Sequence, residues 1–197
     1  MPDCWAALQP QRAFRWLAAQ PLREGAWLAV RRPVFVAFVL ACGVTMMAAE
    51  PFDPRLVASN MLSWAFVPLC EALALVAVVW HSRERMALSR AVDLYFTGHA
   101  PWLLWFTCLS FDWSLQAPHR APTFMFSHFL PLAAGTLLVM AWSCYVDYCC
   151  FHIAFARRRR GALVELAVQR VTSWATIIFF FGWETPLAEF ARRTVAK

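Results

Sequence analysis

Apolar residues in this chain come in long runs, separated by brief segments rich in arginine, proline and acid. Val34–Ala49 carries no charge and stops at Glu50-Pro-Phe-Asp-Pro. Sixteen residues fall short of the ~20 that cross a bilayer, so this helix is expected to begin near Leu28, with Arg31 and Arg32 snorkelling to the interface. Leu56–Trp80 is a second run, with Pro68 inside it as a site for a kink and Glu71 three residues later. A third covers about Ala91–Phe111 and includes Asp93 and Gly98-His99-Ala100-Pro101. After the proline-rich loop Asp112–Thr123 a fourth runs from Phe124 to about Ala156, long enough to tilt or to project from the bilayer. A fifth, Ala162–Trp183, contains Glu165 and Arg170 and is expected to end at Glu184-Thr-Pro.

The pattern predicts an all-α polytopic transmembrane bundle of five spans, at about 31–49, 56–80, 91–111, 124–156 and 162–183, within a bundle of 31–186. Four spans plus a re-entrant fifth segment is the alternative. Residues 1–30 read as a cytoplasmic or interfacial arm rather than a cleaved signal peptide. There Ala13, Phe14, Trp16 and Leu17 are expected on one side of a short amphipathic helix. Residues 187–197 form a short basic tail.

Charge sets the orientation. Arg157, Arg158, Arg159 and Arg160 stand in a row between apolar segments and anchor one loop to the cytoplasmic side. Lys and Arg number five before the first span, then one (Arg55), three (Arg83, Arg85, Arg90), one (Arg120) and four (157–160), which places the N-terminus inside. The tail, with Arg192, Arg193 and Lys197, breaks the alternation if the fifth run spans. The expected location is a cell inner membrane, multi-pass.

Composition agrees with lipid as the solvent: 61% of the 197 residues are hydrophobic and 15% charged, against roughly a quarter charged in soluble domains. The net charge of +6 is gathered in loops, so no nucleic-acid partner is implied. Cys42, Cys70, Cys108 and Cys144 lie inside apolar runs, where cysteine packs as a small hydrophobe. Cys149-Cys150, near a membrane face, are candidates for acylation or metal binding.

Orientation brings scattered ionisable residues to one depth. Glu71 lies nine residues before Trp80, His99 eight past Ala91, Asp147 nine before Ala156 and Arg170 eight past Ala162. At 1.5 Å rise per residue all four fall ~12–14 Å below the cytoplasmic helix ends. Intramembrane charges cost roughly 2.5–3.5 kcal/mol each and face the bundle interior with partners. Arg170 is therefore expected to pair with Glu71 or Asp147, with His99 as a hydrogen-bonding neighbour. The layer reads as a structural ion pair, or as a proton or ion pathway or a polar pocket. A second set, His81, Asp93 and His152, lies nearer the same face, and His81, His99 or His152 are the candidate axial ligands for a b-type haem. No dedicated metal motif, nucleophile elbow or phosphate loop is present, and the stripe Trp102–Trp105–Phe106 reads as helix packing. No cofactor is otherwise implied.

The arm PQRAFRWLAAQP, the segment EALALVAVVWHSRERMALSRAVDLYF, GHAPWLLWF and the RRRRGALVELAVQR entry together resemble bacterial relatives of the Yip-domain proteins. The resemblance lies in span order and loop character across most of the chain. It implies five spans, a cytoplasmic N-terminus and a membrane-organising role, with no catalytic residue to transfer. The expected function is accordingly non-enzymatic: a scaffold or accessory subunit, with the bilayer, other membrane proteins or further copies of itself as partners. A small transporter or channel-like protein using the polar layer is the alternative. A haem- or metal-binding electron-transfer subunit is a third.

Overall fold

The computed structural model describes residues 2–20, 25–47, 53–81, 86–116 and 122–195; for some of these, His81 and residues 180–195 among them, only the backbone is described. The described residues are helical and include no strand. In chain order the helices are α1 (Pro2–Leu8), α2 (Pro10–Ala19), α3 (Ala26–Met47), α4 (Pro54–Trp64), α5 (Phe66–His81), α6 (Leu88–Thr97), α7 (Ala100–Gln116), α8 (Pro122–Cys149) with a π-helical turn at Cys150–Ala154, and α9 (Arg159–Val195). Among the described residues three helical stretches are long and apolar enough to cross a membrane: Ala26–Met47, Pro54–Trp80 and Leu130–Ala154.

The distribution of polarity is that of a protein dissolved in lipid. Trp80 is 87% exposed, Leu62 80% and Leu138 71%, while Asp147, Gln169, Ser143 and Thr97 are buried. A soluble monomer does not present so much contiguous apolar surface.

Prolines place the breaks. Pro68 has no N–H to donate to the Trp64 carbonyl, and the helix is interrupted at Ala65 between α4 and α5. Pro101 likewise cannot bond the Thr97 carbonyl. The third run, read as one span over 91–111, is two helices meeting at Gly98-His99, and α7 by itself has 17 residues. The fifth run departs the other way. α9 does not stop at Glu184-Thr-Pro but continues to Val195, 37 residues in all, because one proline removes one backbone bond without forcing a helix to end. At 1.5 Å per residue that is ~55 Å, well beyond the ~30 Å hydrocarbon thickness. The side chains of the basic tail lie outside the described ones.

α3 is the central helix, packed on α4, α5, α6 and α7, while α5 also packs on α9. Two glycines let α7 approach its neighbours. A methyl group at Gly43 on α3 would collide with the Phe106 ring and Ser110 Oγ, and one at Gly135 on α8 with the Trp105 indole. The aromatic stripe of α7 is thus seated by packing.

The arm folds onto the bundle. Pro10, Ala13 and Phe14 are buried with Leu17 beside them, a stripe at helical spacing that faces the π turn and α8. Trp16, expected on this side, is 47% exposed, because two residues on from Phe14 is more than half a turn away; its ring lies 5.7 Å from that of Trp5. Trp142 Nε1 donates to the Ala7 carbonyl (2.9 Å), and Arg90 donates to the carbonyls of Leu17 (2.8 Å) and Gln20 at the C-terminus of α2.

The corner before the arginine run closes by a backbone device. Phe155 N–H donates to Cys150 O and Arg157 N–H to Phe151 O, with Ala156 between them at φ 52°. An L side chain is disfavoured there and glycine is not. Ala156→Gly is expected to raise stability by about 0.5–1 kcal/mol in a denaturant titration in mild detergent. Gly43→Ala should lower it by about 1–3 kcal/mol through overpacking, and an unchanged midpoint would show that α3 and α7 are not in close contact.

Candidate functional site

Two tiers of charge occupy the interior. The outer tier joins the arm, α3 and α6. Arg31 makes a two-pronged contact to Asp93 (2.8 and 2.9 Å), and Arg32 reaches Asp93 (2.5 Å) and Asp3 (2.9 Å). Arg32 is only 12% exposed, so these arginines are ion-paired rather than snorkelling; an acid one helix away is a better partner than distant headgroups. Asp93 is thereby withdrawn from the set that grouped it with His81 and His152.

The inner tier contains the four residues read as one layer, joined as two pairs. His99 Nε2 and Glu71 Oε2 are 2.6 Å apart. Arg170 Nη2 donates to Asp147 Oδ2 and to Ser143 Oγ. The elements explain why these side chains meet. The helix break at Gly98-His99 turns His99 toward α5. Gly98 lets α8 come close, since a methyl group there would lie 3.2 Å from Asp147 Oδ1 and 3.1 Å from Val146. Glu71 follows the Pro68 break on α5, and Arg170 comes in on α9. Asp147 side-chain exposure is 2% and that of His99 8%. At such burial each charge requires a partner.

Two neighbours were not read from the sequence. Ser143 stands four residues before Asp147 on α8, and Tyr95, fully buried with its ring 5.1 Å from that of His99, stands four before His99. The i, i+4 spacing from an intramembrane ionisable residue was the available signal. Gln169, also fully buried, donates to Ser173 Oγ (2.9 Å) on the same principle.

The haem reading meets specific obstacles. His99 Nε2 is held by Glu71, and the ring stacks on Phe96 at 4.5 Å. His152 donates from Nδ1 to the Arg157 carbonyl (2.6 Å) and stacks on Tyr148. The His81 side chain lies outside the described ones. No group of three or more His, Cys, Asp or Glu among the described residues is placed to hold a metal ion. Cys149 and Cys150 are 1% and 0% exposed, so their thiols are shielded from an acylating enzyme. In the arginine run, Arg158, Arg159 and Arg160 are exposed, whereas Arg157 turns back to Glu165 (2.7 Å). That contact also supplies the partner for the acid that interrupts the fifth run.

A cleft of about 160 Å³ reaches this inner tier between α3, α5, α7 and α9. Glu71, His99 and Arg170 line one part of it, and Val36, Leu40, Trp102 and Phe106 are among the residues lining the rest. Comparison of the chain with protein-family models, with curated proteins and with solved structures found no match.

Removing one member of the inner pair should expose its dependence on the other. Arg170→Leu leaves Asp147 buried without its cation and is expected to lower stability by about 3–5 kcal/mol. Asp147→Leu together with Arg170→Leu should restore most of that loss. A double-mutant cycle in mild detergent measures both, and additive losses would contradict the pairing.

Proposed function

We propose that this chain is a five-span integral membrane protein of a bacterial-type inner membrane, with a cytoplasmic N-terminus. It works without catalysis, as a scaffold or accessory subunit. The observation that carries the reading is that the intramembrane ionisable residues bind one another. Glu71 holds His99 and Asp147 holds Arg170, so each charge is matched by an opposite one on a neighbouring element. Such pairs neutralise charge that hydrocarbon would penalise and fix the order in which helices pack.

Five spans are supported by three candidate spanning helices, by the apolar pair α6–α7, and by the apolar first part of α9. The loop charge alternation supports the orientation, as does the gathering of the arm, the Asp93 ion pairs and the arginine run around one end of the bundle. The resemblance to Yip-domain proteins points to the same membrane-organising role. Broad apolar faces on α5, α8 and α9 give area for lipid, another membrane protein or a second copy.

Affinity purification in mild detergent with mass spectrometry of co-purifying proteins tests this reading. A stoichiometric membrane partner or a defined homo-oligomer is expected, and recovery as a lone monomer would count against it. The cleft at Glu71 and Arg170 favours a second reading, a small transporter or channel-like protein. A Ser173→Cys variant discriminates: modification by a membrane-impermeant thiol reagent supports a hydrated pathway, and protection supports the scaffold.

A further inference from the structure

We propose that the cleft is a binding site for a neutral, membrane-soluble ring compound bearing carbonyl or hydroxyl oxygens, the chemistry of a quinone or quinol head group. The site rests on the membrane-spanning reading, and the scaffold role neither requires nor forbids it.

Size comes first. About 160 Å³ is close to the ~150 Å³ of an apolar cavity that takes up a benzene molecule, so it holds one ring and few additional atoms. The walls suit a ring. Trp102 and Phe106 on α7 and Trp174 on α9 offer aromatic surfaces, which attract another ring beyond the area they bury. Trp174 lines the cleft and is 41% exposed, so its indole stands where the cleft meets the surface.

The polar part selects the ligand further. Each pair spends only part of its hydrogen-bonding capacity. His99 occupies Oε2 of Glu71, and both Arg170 bonds leave from Nη2. Glu71 Oε1 and Arg170 Nη1 make no hydrogen bond among the described residues, and neither is among the sealed polar atoms, whereas His99 Nδ1 and Arg170 Nε are. Glu71 and Arg170 both line the cleft, and these uncommitted atoms give the two residues one acceptor and one two-proton donor to offer beside the aromatic walls. A ring hydroxyl can donate to the first, and a ring carbonyl can accept from the second.

Charge excludes the nearest competitors. Two acids stand against a guanidinium and an imidazole, so the cluster has no surplus positive charge with which to recruit an anionic head group. A cation drawn to Glu71 would share the cleft with the Arg170 guanidinium and be repelled by it. A bare acyl chain would cover Oε1 and Nη1 and leave both unpaired, at a penalty typical of buried polar groups. A neutral ring with its own oxygens satisfies walls and polar atoms together.

Isothermal titration of the full chain in lipid nanodiscs tests this, with a short-chain alkyl-benzoquinone as probe, the matching alkylbenzene as apolar control and empty discs as the partition baseline. Saturable one-to-one binding of the quinone is expected, at least tenfold tighter than that of the alkylbenzene. Leu40→Phe, which fills the cleft from α3, should weaken it at least tenfold while the thermal midpoint in discs is kept. If that variant does not enter discs, Trp102→Leu removes an aromatic wall without adding bulk and should give the same loss. Binding no greater than to empty discs, equal affinity for quinone and alkylbenzene, or unchanged affinity in the variant each overturns the proposal. Failure of the membrane reading shows separately, as protein that does not incorporate into discs.

Discussion

Charge inside hydrocarbon is the constraint on which the bundle turns. Asp147 and Arg170 stand on the successive helices α8 and α9, 23 residues apart, and at 2% side-chain exposure the Asp147 carboxylate needs the guanidinium as its partner. Glu71 and His99 repeat the relation between α5 and the α6–α7 break. Apolar helices in lipid gain little from packing on one another compared with packing on lipid, so specific polar contacts and close backbone approaches decide which helices become neighbours. The two pairs and the glycines at 43, 98 and 135 together supply those contacts.

The same constraint explains why the helices are broken where they are. Pro68 and Pro101 each free a carbonyl at bundle depth, and each proline lies within three residues of an ionisable side chain of the inner tier. Irregular backbone at that depth persists where it is buried in protein or lines a cavity. The Gly98-His99 break does both, since Gly98 abuts α8 and His99 lines the cleft. Nearer the helix ends, Arg31 and Arg32 join α3 to α6 through Asp93, while the Arg32–Asp3 and Arg90–Leu17 contacts tie on the folded arm, so the arm is part of the bundle rather than a tether.

Much of this was legible in the residues. Run lengths and missing charges gave the helical class, while the third run proved to be two helices and the fifth continued past Glu184 to Val195. The rise per residue put Glu71, His99, Asp147 and Arg170 at one expected level, and the structure joins them as two pairs. Depth along an axis does not give azimuth, however, so spacing left open whether Arg170 would choose Glu71 or Asp147, and it missed Ser143 and Tyr95. The outer tier was misread for a related reason. Snorkelling is the default for an arginine near a helix end, and only the folded arrangement brings Asp93 and Asp3 within reach of Arg31 and Arg32. The cleft is invisible to sequence because it is made of spaces between helices rather than of residues.

The central claim is that the inner tier sits inside the bilayer at one depth, and bilayer depth can be measured beside it. Leu73 and Val171 are 59% and 69% exposed and lie next to the tier on α5 and α9. Spin labels at these two positions, compared for collision with oxygen and with a water-soluble nickel complex in lipid vesicles, report depth directly. Matching, oxygen-rich signals at both sites are the expected result. Strong nickel accessibility at either site, or clearly different depths at the two, would contradict a common charged layer within the membrane.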